Sequence, residues 1–409
     1  MAQFQPQQFI AGQVRDIPRS GIREFFDIVQ TMPDVISLGV GEPDFVTPWH
    51  IREAAIYALE RGKTSYTSNL GLLKLRQAIS GYVEKQFGVP YDPGKQILVT
   101  VGVSEALDIA LRAVVNPGDQ VLYHEPCYVS YSPSISMAHG VPVPVPCLAE
   151  HEFALTAEAI EQAITPRAKV VVLNFPTNPT GGTMTRAELL KIADVVLRHN
   201  LLVITDEIYA ELTFEGEHIS IASLPGMYER TIPIYTMSKT YAITGLRLGY
   251  IAVRDQKIRE RARKVLFYTV SNTSSLVQYG AVGALAGSQQ AVQDFKQELL
   301  QRRTLFYDGV KNAAPGVFSG APPAGAFYAF LKIDPAWRSP LPDAPASQSW
   351  AMTEFLIKKG RIGCVPGADF GSVGEGYVRF CFARDRAEIN GALASMEEII
   401  EMTRTTRMT

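Results

Sequence analysis

The chain has 409 residues, 46% of them hydrophobic and 20% charged, with 39 basic against 41 acidic side chains and a net charge of −2. That length suits two or three domains, and the balanced charge without a basic run argues against nucleic acid or an anionic membrane as partner. No apolar run approaches a membrane span, no secretory leader is visible, and Cys127, Cys147, Cys364 and Cys381 form no CxxC pair, so a cytoplasmic protein with reduced core thiols is expected.

Residues 1–20 are polar, carry Pro6, Gly12 and Pro18, and read as an arm that packs on another surface. A helix is expected from near Ser20 through GIREFFDIVQ, inside a segment (21–45) that packs with the C-terminal domain. Short β-branched runs then alternate with helical patterns, placing strands at 96–100, 120–124, 141–145, 169–174, 201–206, 232–236 and 248–253. SEALDIALRAV and TRAELLKIADVVLRH space their apolar residues three and four apart, as amphipathic helices do. This alternation predicts an α/β fold whose large domain (46–295) holds a mostly parallel seven-stranded sheet covered on both faces. Pro142, Pro144 and Pro146 demote 141–145 to an edge strand or an extended connector. Beyond a long helical region (about 255–315), strands at 325–333 and 376–383 and helices at 347–359 and 385–404 predict a smaller α/β domain over 296–409.

In open α/β sheets, ligands bind beyond the carboxyl ends of the strands, and polar residues gather at those ends here. Gly102, Val103 and Ser104 open a helix after the first strand of the sheet, where free N–H groups can seat a phosphate, although such a turn is also commonplace. The turn NFPTNPTGG after 169–174 can fix the Asn178 amide as a donor, or serve as a turn alone. Asp206 ends the apolar run LLVIT. A poorly solvated carboxylate there wants a cation, such as a protonated pyridine nitrogen, unless it merely caps a helix. Tyr209 could offer its phenol to the same ring.

Lys239 lies in TMSKTYAITGLRLGY. Lysine forms a reversible imine with an aldehyde cofactor, and Arg247, Ser238 and Thr236 can hold that cofactor's phosphate, which are the requirements of pyridoxal phosphate chemistry. Burial would lower the amine's pKa and activate it. Arg379 is a charge inside the apolar strand GYVRFCF. It wants a buried anion, either a substrate carboxylate gripped by its fork or a structural salt bridge. His124, His139 and His151 lack metal-ligand spacing and read as surface or capping residues, so no metal is expected. GVGEPD lacks the third glycine of a dinucleotide fingerprint.

These motifs fall in order with ISLGVGEPDF (36–45), GKTSYTSNLG (62–71) and VPGADFG (365–371) along nearly the whole chain. Taken together, the sequence resembles the class I/II aminotransferases of PLP fold type I, in the branch of prokaryotic aspartate and aromatic aminotransferases. That resemblance implies pyridoxal 5'-phosphate as cofactor, with Lys239 as the Schiff-base lysine and Asp206 paired with the pyridine nitrogen. It implies that Asn178 and Tyr209 contact the ring oxygen, that Tyr128 stacks on the ring, and that Arg379 and the backbone at Gly41 bind the substrate α-carboxylate. Tyr66 matches a tyrosine that reaches across a homodimer to the neighbour's cofactor phosphate. Three positions depart from the family pattern. Tyr128 stands where aspartate-specific relatives often have Trp, and Thr236 where Ser or Gly is common. Ser104 stands where some bacterial aspartate aminotransferases of this branch place a lysine for the distal carboxylate.

The expected reaction transfers the amino group of an L-amino acid, aromatic or hydrophobic, to a 2-oxo acid such as 2-oxoglutarate by a ping-pong mechanism. Ile17, Pro18, Val40, Tyr66 and Tyr128 would form an apolar side-chain pocket. Arg15 and Arg19 could instead receive a distal carboxylate, which leaves aspartate and N-acetyl-diaminopimelate donors open. A C–S β-lyase would share the first half of the chemistry. A ligand-sensing regulator on this scaffold would need an N-terminal DNA-binding domain, for which the arm is too short.

Overall fold

The computed structural model describes residues 4–17, 21, 32 and 34–406. The body of the helix expected from Ser20, with Pro18 and Arg19, lies outside the described residues. The arm carries a 3-10 turn at Pro6–Phe9 and one helical turn at Gly12–Arg15, with no buried residue in either. Then come β1 (Ile36–Ser37), α1 (Trp49–Glu60), α2 (Leu73–Phe87), β2 (Ile97–Thr100), α3 (Gly102–Val114), β3 (Gln120–Glu125), α4 (Tyr131–Met137) and β4 (Val141–Pro146). They are followed by α5 (Ala157–Ala163), β5 (Ala168–Asn174), α6 (Arg186–Arg198), β6 (Leu202–Asp206), β7 (Thr231–Thr236) and β8 (Gly249–Ala252).

Strands β2 to β8 form one seven-stranded sheet in the order β2-β8-β7-β6-β5-β3-β4. Only β8 runs antiparallel to its neighbours. The period-2 pattern decides which face each residue covers. Val170 and Val172 of β5 join Ala106, Ile109 and Ala110 of α3, while Val171 and Leu173 join Leu189, Ile192 and Val196 of α6 on the other face. A capping box starts α6: Thr185 accepts from the Glu188 N–H, and Glu188 accepts from the Thr185 N–H. The proline-rich strand β4 is the edge. The N–H groups of Val141 and Cys147 bond to β3 and the residue before it. Prolines at the alternate positions leave the outer rim without donors, which blunts it against further strand pairing.

The long helical region resolves into α7 (Gln256–Thr269), α8 (Ser275–Ala286) and α9 (Gln290–Ala313). It breaks where Ser271 takes a left-handed φ of 69° and again at Gly287, whose N–H closes α8. Beyond lie β9 (Phe318–Ser319), β10 (Tyr328–Ile333), α10 (Gln348–Gly360), β11 (Ile362–Gly363), β12 (Val365–Pro366), β13 (Tyr377–Cys381) and α11 (Arg386–Thr406). β10 begins later than its apolar run, because Ala326 adopts φ 57° and Gly325 bridges to Thr213. The second sheet is antiparallel in the order β12-β13-β10-β9, and β1 pairs in parallel with β11. Phe306 of α9, Phe355 of α10 and Met396 of α11 cover it together with Val378 and Phe380 of β13.

All four cysteines are buried with free thiols. His124, expected at the surface or at a cap, is buried instead: it stacks on Phe175 at 4.8 Å, and burial lowers its pKa to about 4. Among the described residues, no helix is long and apolar enough to cross a membrane.

Candidate active site

A cavity of about 220 Å³ opens at the carboxyl ends of β5, β6 and β7, with β10 and β13 along its far side. It brings together Gly41, Val103, Ser104, Tyr128, Asn178, Asp206, Tyr209, Thr236, Ser238, Lys239, Arg247 and Arg379, along with Val40. Of the nominated residues, Gly102, Tyr66, Ile17 and the alternative Arg15 lie off its lining, and Ile17 borders a neighbouring cavity instead. Gly102 sits just behind it, since a Cβ there would stand 2.7 Å from the Arg247 guanidinium. Tyr66 is 90% exposed.

Asp206 is buried at the end of β6, where its carboxylate accepts from Tyr131 Oη (2.9 Å) and the Ile208 N–H (3.3 Å). No salt bridge reaches it among the described residues, and burial pushes its carboxyl up to about 7. Lys239 Nζ donates to the Gly41 carbonyl at 2.5 Å. Its pKa is lowered to about 8, mainly by burial, with Glu42 and Cys381 opposing and Arg379 and Arg247 assisting. The site thus holds an acid that lacks a cation and an amine that is a nucleophile near neutral pH.

The start of α3 has no side-chain cap, and its Val103 and Ser104 line the cavity, so uncapped N–H groups and the positive end of the dipole lie beside it. Arg247 adopts a left-handed φ of 55°, and its Nη1 donates to the Thr244 carbonyl. The Thr236 hydroxyl donates to the Leu248 carbonyl (2.6 Å) and lies 2.7 Å from Ser238 Oγ. Its one proton is therefore spent on the backbone, so the Ser238 hydroxyl donates to Thr236 Oγ1 and must turn away from it to meet an anion.

Arg379, in mid-β13, donates through Nη1 to Asn178 Oδ1 (2.8 Å) and through Nη2 to the Gly39 carbonyl. The rings of Tyr328 and Phe370 both lie against its guanidinium, at 4.5 and 4.9 Å. Nε has no partner, and no carboxylate meets the side chain in a salt bridge among the described residues. The structural salt bridge weighed from sequence is not found among the described residues, and the guanidinium meets only neutral acceptors.

Sequence reasoning passed over four polar side chains that line the cavity: Tyr131, Asn174, Thr244 and Tyr328. Asn174 closes an apolar run as Asp206 does; it donates to the Asp206 carbonyl and accepts from the Asn178 N–H, tying the two turns together. Tyr131, shortly after Tyr128, carried no sign of its bond to Asp206. Among the described residues, no cluster of His, Cys, Asp or Glu could hold a metal ion. The donor set fits pyridoxal phosphate: a buried carboxylate for a protonated ring nitrogen, an activated lysine for the aldehyde, and an uncapped helix start with Arg247 and Ser238 for the phosphate.

A family model described as aminotransferase class I and II matches residues 33–396. A Bacillus subtilis (strain 168) protein carrying an aminotransferase name, YugH, is 42% identical over 97% of this chain and 99% of its own. The aspartate aminotransferase of Pyrococcus abyssi is 38% identical over 93% of this chain and 95% of its own. The crystal structure of an aromatic aminotransferase from Pyrococcus horikoshii superimposes with a TM-score of 0.84 at 38% identity, covering 93% of this chain and 99% of that one.

Proposed function

Since the chain belongs to the class I and II aminotransferases, pyridoxal phosphate enzymes of fold type I, we propose a donor and a division of labour in the site. The donor is an L-amino acid with an aromatic or hydrophobic side chain, and a 2-oxo acid such as 2-oxoglutarate accepts the amino group in a ping-pong cycle. The observation carrying this reading is the inventory of cations. Lys239, Arg247 and Arg379 are the cationic residues of the described lining, and each has a task at the cofactor or the α-carboxylate. Ser104, where a distal carboxylate would need a cation, is neutral. Arg15 of the arm is exposed and paired with Asp16 at 3.0 Å.

The cofactor, when bound, supplies an electron sink for the pair released at the substrate α-carbon. Lys239 Nζ would hold it, and its amine, with a pKa lowered to about 8, would move the α-proton. Asp206 keeps the ring nitrogen protonated, while Tyr128 covers the ring face. Arg247, Ser238 and the N–H groups from Gly102 to Ser104 grip the phosphate, with Thr236 orienting Ser238. Asn178, whose Oδ1 is taken by Arg379, offers its amide N–H to the ring oxygen beside the Tyr209 phenol. Arg379 and the Gly41 backbone seat the α-carboxylate, leaving the side chain toward Val40 and Tyr128.

The working unit in this reading is a cytoplasmic homodimer in which Tyr66 of one protomer completes the neighbour's phosphate site. Support comes from a run of exposed apolar side chains, among them Val46, Trp49, Tyr57, Tyr66, Phe267 and Tyr268. Hydrogen bonds from Asn69 to Ser271 and from Ser275 to Lys63 draw those two stretches to one side of the molecule. Such a patch asks for a partner surface.

An acidic donor is the second reading, favoured by the relative named as an aspartate aminotransferase. A panel of Phe, Tyr, Leu, Ala, Asp and N-acetyl-diaminopimelate against 2-oxoglutarate separates the two. Phe or Tyr should exceed Asp at least about tenfold in kcat/KM while converting the bound cofactor to its pyridoxamine form. A preference for Asp would overturn the apolar donor. Release of pyruvate and ammonia from cystathionine, with no pyridoxamine formed, would point to lyase chemistry instead.

A further inference from the structure

Tyr328 opens β10, is 1% exposed and lines the cavity. In the pairing of β10 with β13 it lies opposite Cys381, while Phe330 lies opposite Arg379. Tyr328 is therefore the diagonal neighbour of Arg379 on one face of the sheet, within reach of a long side chain. Its ring carries the guanidinium at 4.5 Å. Its hydroxyl lies 2.7 Å from the Tyr209 hydroxyl and so close to Gly41 that a Cβ there would collide with it. One side chain thus touches the carboxylate fork, the ring-oxygen phenol and the segment whose carbonyl receives Lys239.

A phenol has a single proton to donate. If Tyr209 spends its own on the cofactor's ring oxygen, the Tyr209–Tyr328 bond must be donated by Tyr328. We infer that Tyr328 is a positioning residue whose ring sets the Arg379 fork and whose hydroxyl, by donating to Tyr209, aims the Tyr209 proton into the cavity. The inference rests on the proposed contact of Tyr209 with the ring oxygen. Donation to Tyr209 also makes that phenol the stronger donor, because chained hydrogen bonds polarise one another. A stronger donor favours negative charge on the ring oxygen and lowers the pH at which the bound cofactor's absorbance changes. The other charged and titratable groups facing the pair are Arg379 and Cys381 on β13, Asp206 at the end of β6 and Tyr128 after β3. Lys239 and Glu42 lie beyond, on either side of Gly41.

The test is an absorbance titration of the reconstituted holoenzyme, read beside amino-acid KM. Tyr328→Phe keeps the ring and loses the hydroxyl: the midpoint should rise by about half a unit or more, with KM held within about twofold. Tyr328→Leu should move the midpoint likewise and raise KM at least about tenfold, having lost the ring beneath Arg379. Tyr82→Phe, which removes a buried hydroxyl bonded to Glu211 outside the cavity, should leave the midpoint in place. An unmoved midpoint in Tyr328→Phe, alongside a moved one in Tyr209→Phe, overturns this inference alone. An equal movement in Tyr82→Phe reduces the role of Tyr328 to packing and overturns it as well. An unmoved midpoint in Tyr209→Phe removes the reading on which it rests.

Discussion

In the protein stripped of cofactor, Asp206 is a buried acid with no cation beside it among the described residues, and that arrangement has a measurable cost. Burial lifts its carboxyl from 3.8 to about 7. Between those values the folded chain keeps a proton that the unfolded chain has released, so stability falls as pH rises from about 4 to about 7 and then levels off. A shift of about three units corresponds to about 4 kcal/mol. Asp206→Asn removes the charge but serves Tyr131 and the Ile208 N–H less well, which takes back about 1–2 kcal/mol. The cofactor-free variant should therefore be more stable than cofactor-free wild type by about 2–3 kcal/mol at pH 8, the gap vanishing near pH 5 and reversing to about 1–2 kcal/mol in favour of wild type toward pH 4. Urea unfolding of both proteins between pH 4 and pH 9 measures it directly. Pyridoxal phosphate should reverse the order, since a protonated ring nitrogen balances the carboxylate and gives the amide nothing. A gap independent of pH, or a wild type that is the more stable at pH 8 without cofactor, would refute the reasoning.

Lys239 gives a second pH signature. With its pKa lowered to about 8, the cofactor-free protein should take up pyridoxal phosphate at a rate that is half-maximal near pH 8 and climbs as the amine loses its proton; stopped-flow absorbance reads this, and a midpoint near 10.5 would show an ordinary exposed lysine. Ser104→Lys should raise kcat/KM for aspartate relative to phenylalanine by about tenfold, by adding the missing distal cation. An unchanged ratio would move the specificity elsewhere.

How far the sequence discloses this site depends on whether a residue breaks its local pattern. Asp206 stands out because it ends an apolar run with a charge, whereas β5 and β7 end at the cavity in the neutral Asn174 and Thr236. The seven-stranded sheet was legible for the same reason, since buried parallel strands are unbroken β-branched runs. Tyr328 breaks nothing in GAFYAFLKI, where a tyrosine passes for one more buried aromatic. Its importance comes from a diagonal contact fixed by the pairing of β10 with β13, and long-range register is not written in either strand alone. The break in the helical region at Ser271 was hidden too, because a left-handed serine carries no signal of the kind glycine gives. Arg379 marks the boundary between the two cases. Its strand announces that a buried cation needs an anion, yet a substrate and a salt bridge fit that need equally well. Its neighbours weigh on the choice: Nη1 meets an amide oxygen, Nη2 a peptide carbonyl, and Nε has no partner. A cation solvated by neutral acceptors at the wall of a cavity supports the proposed carboxylate-binding role over the salt bridge.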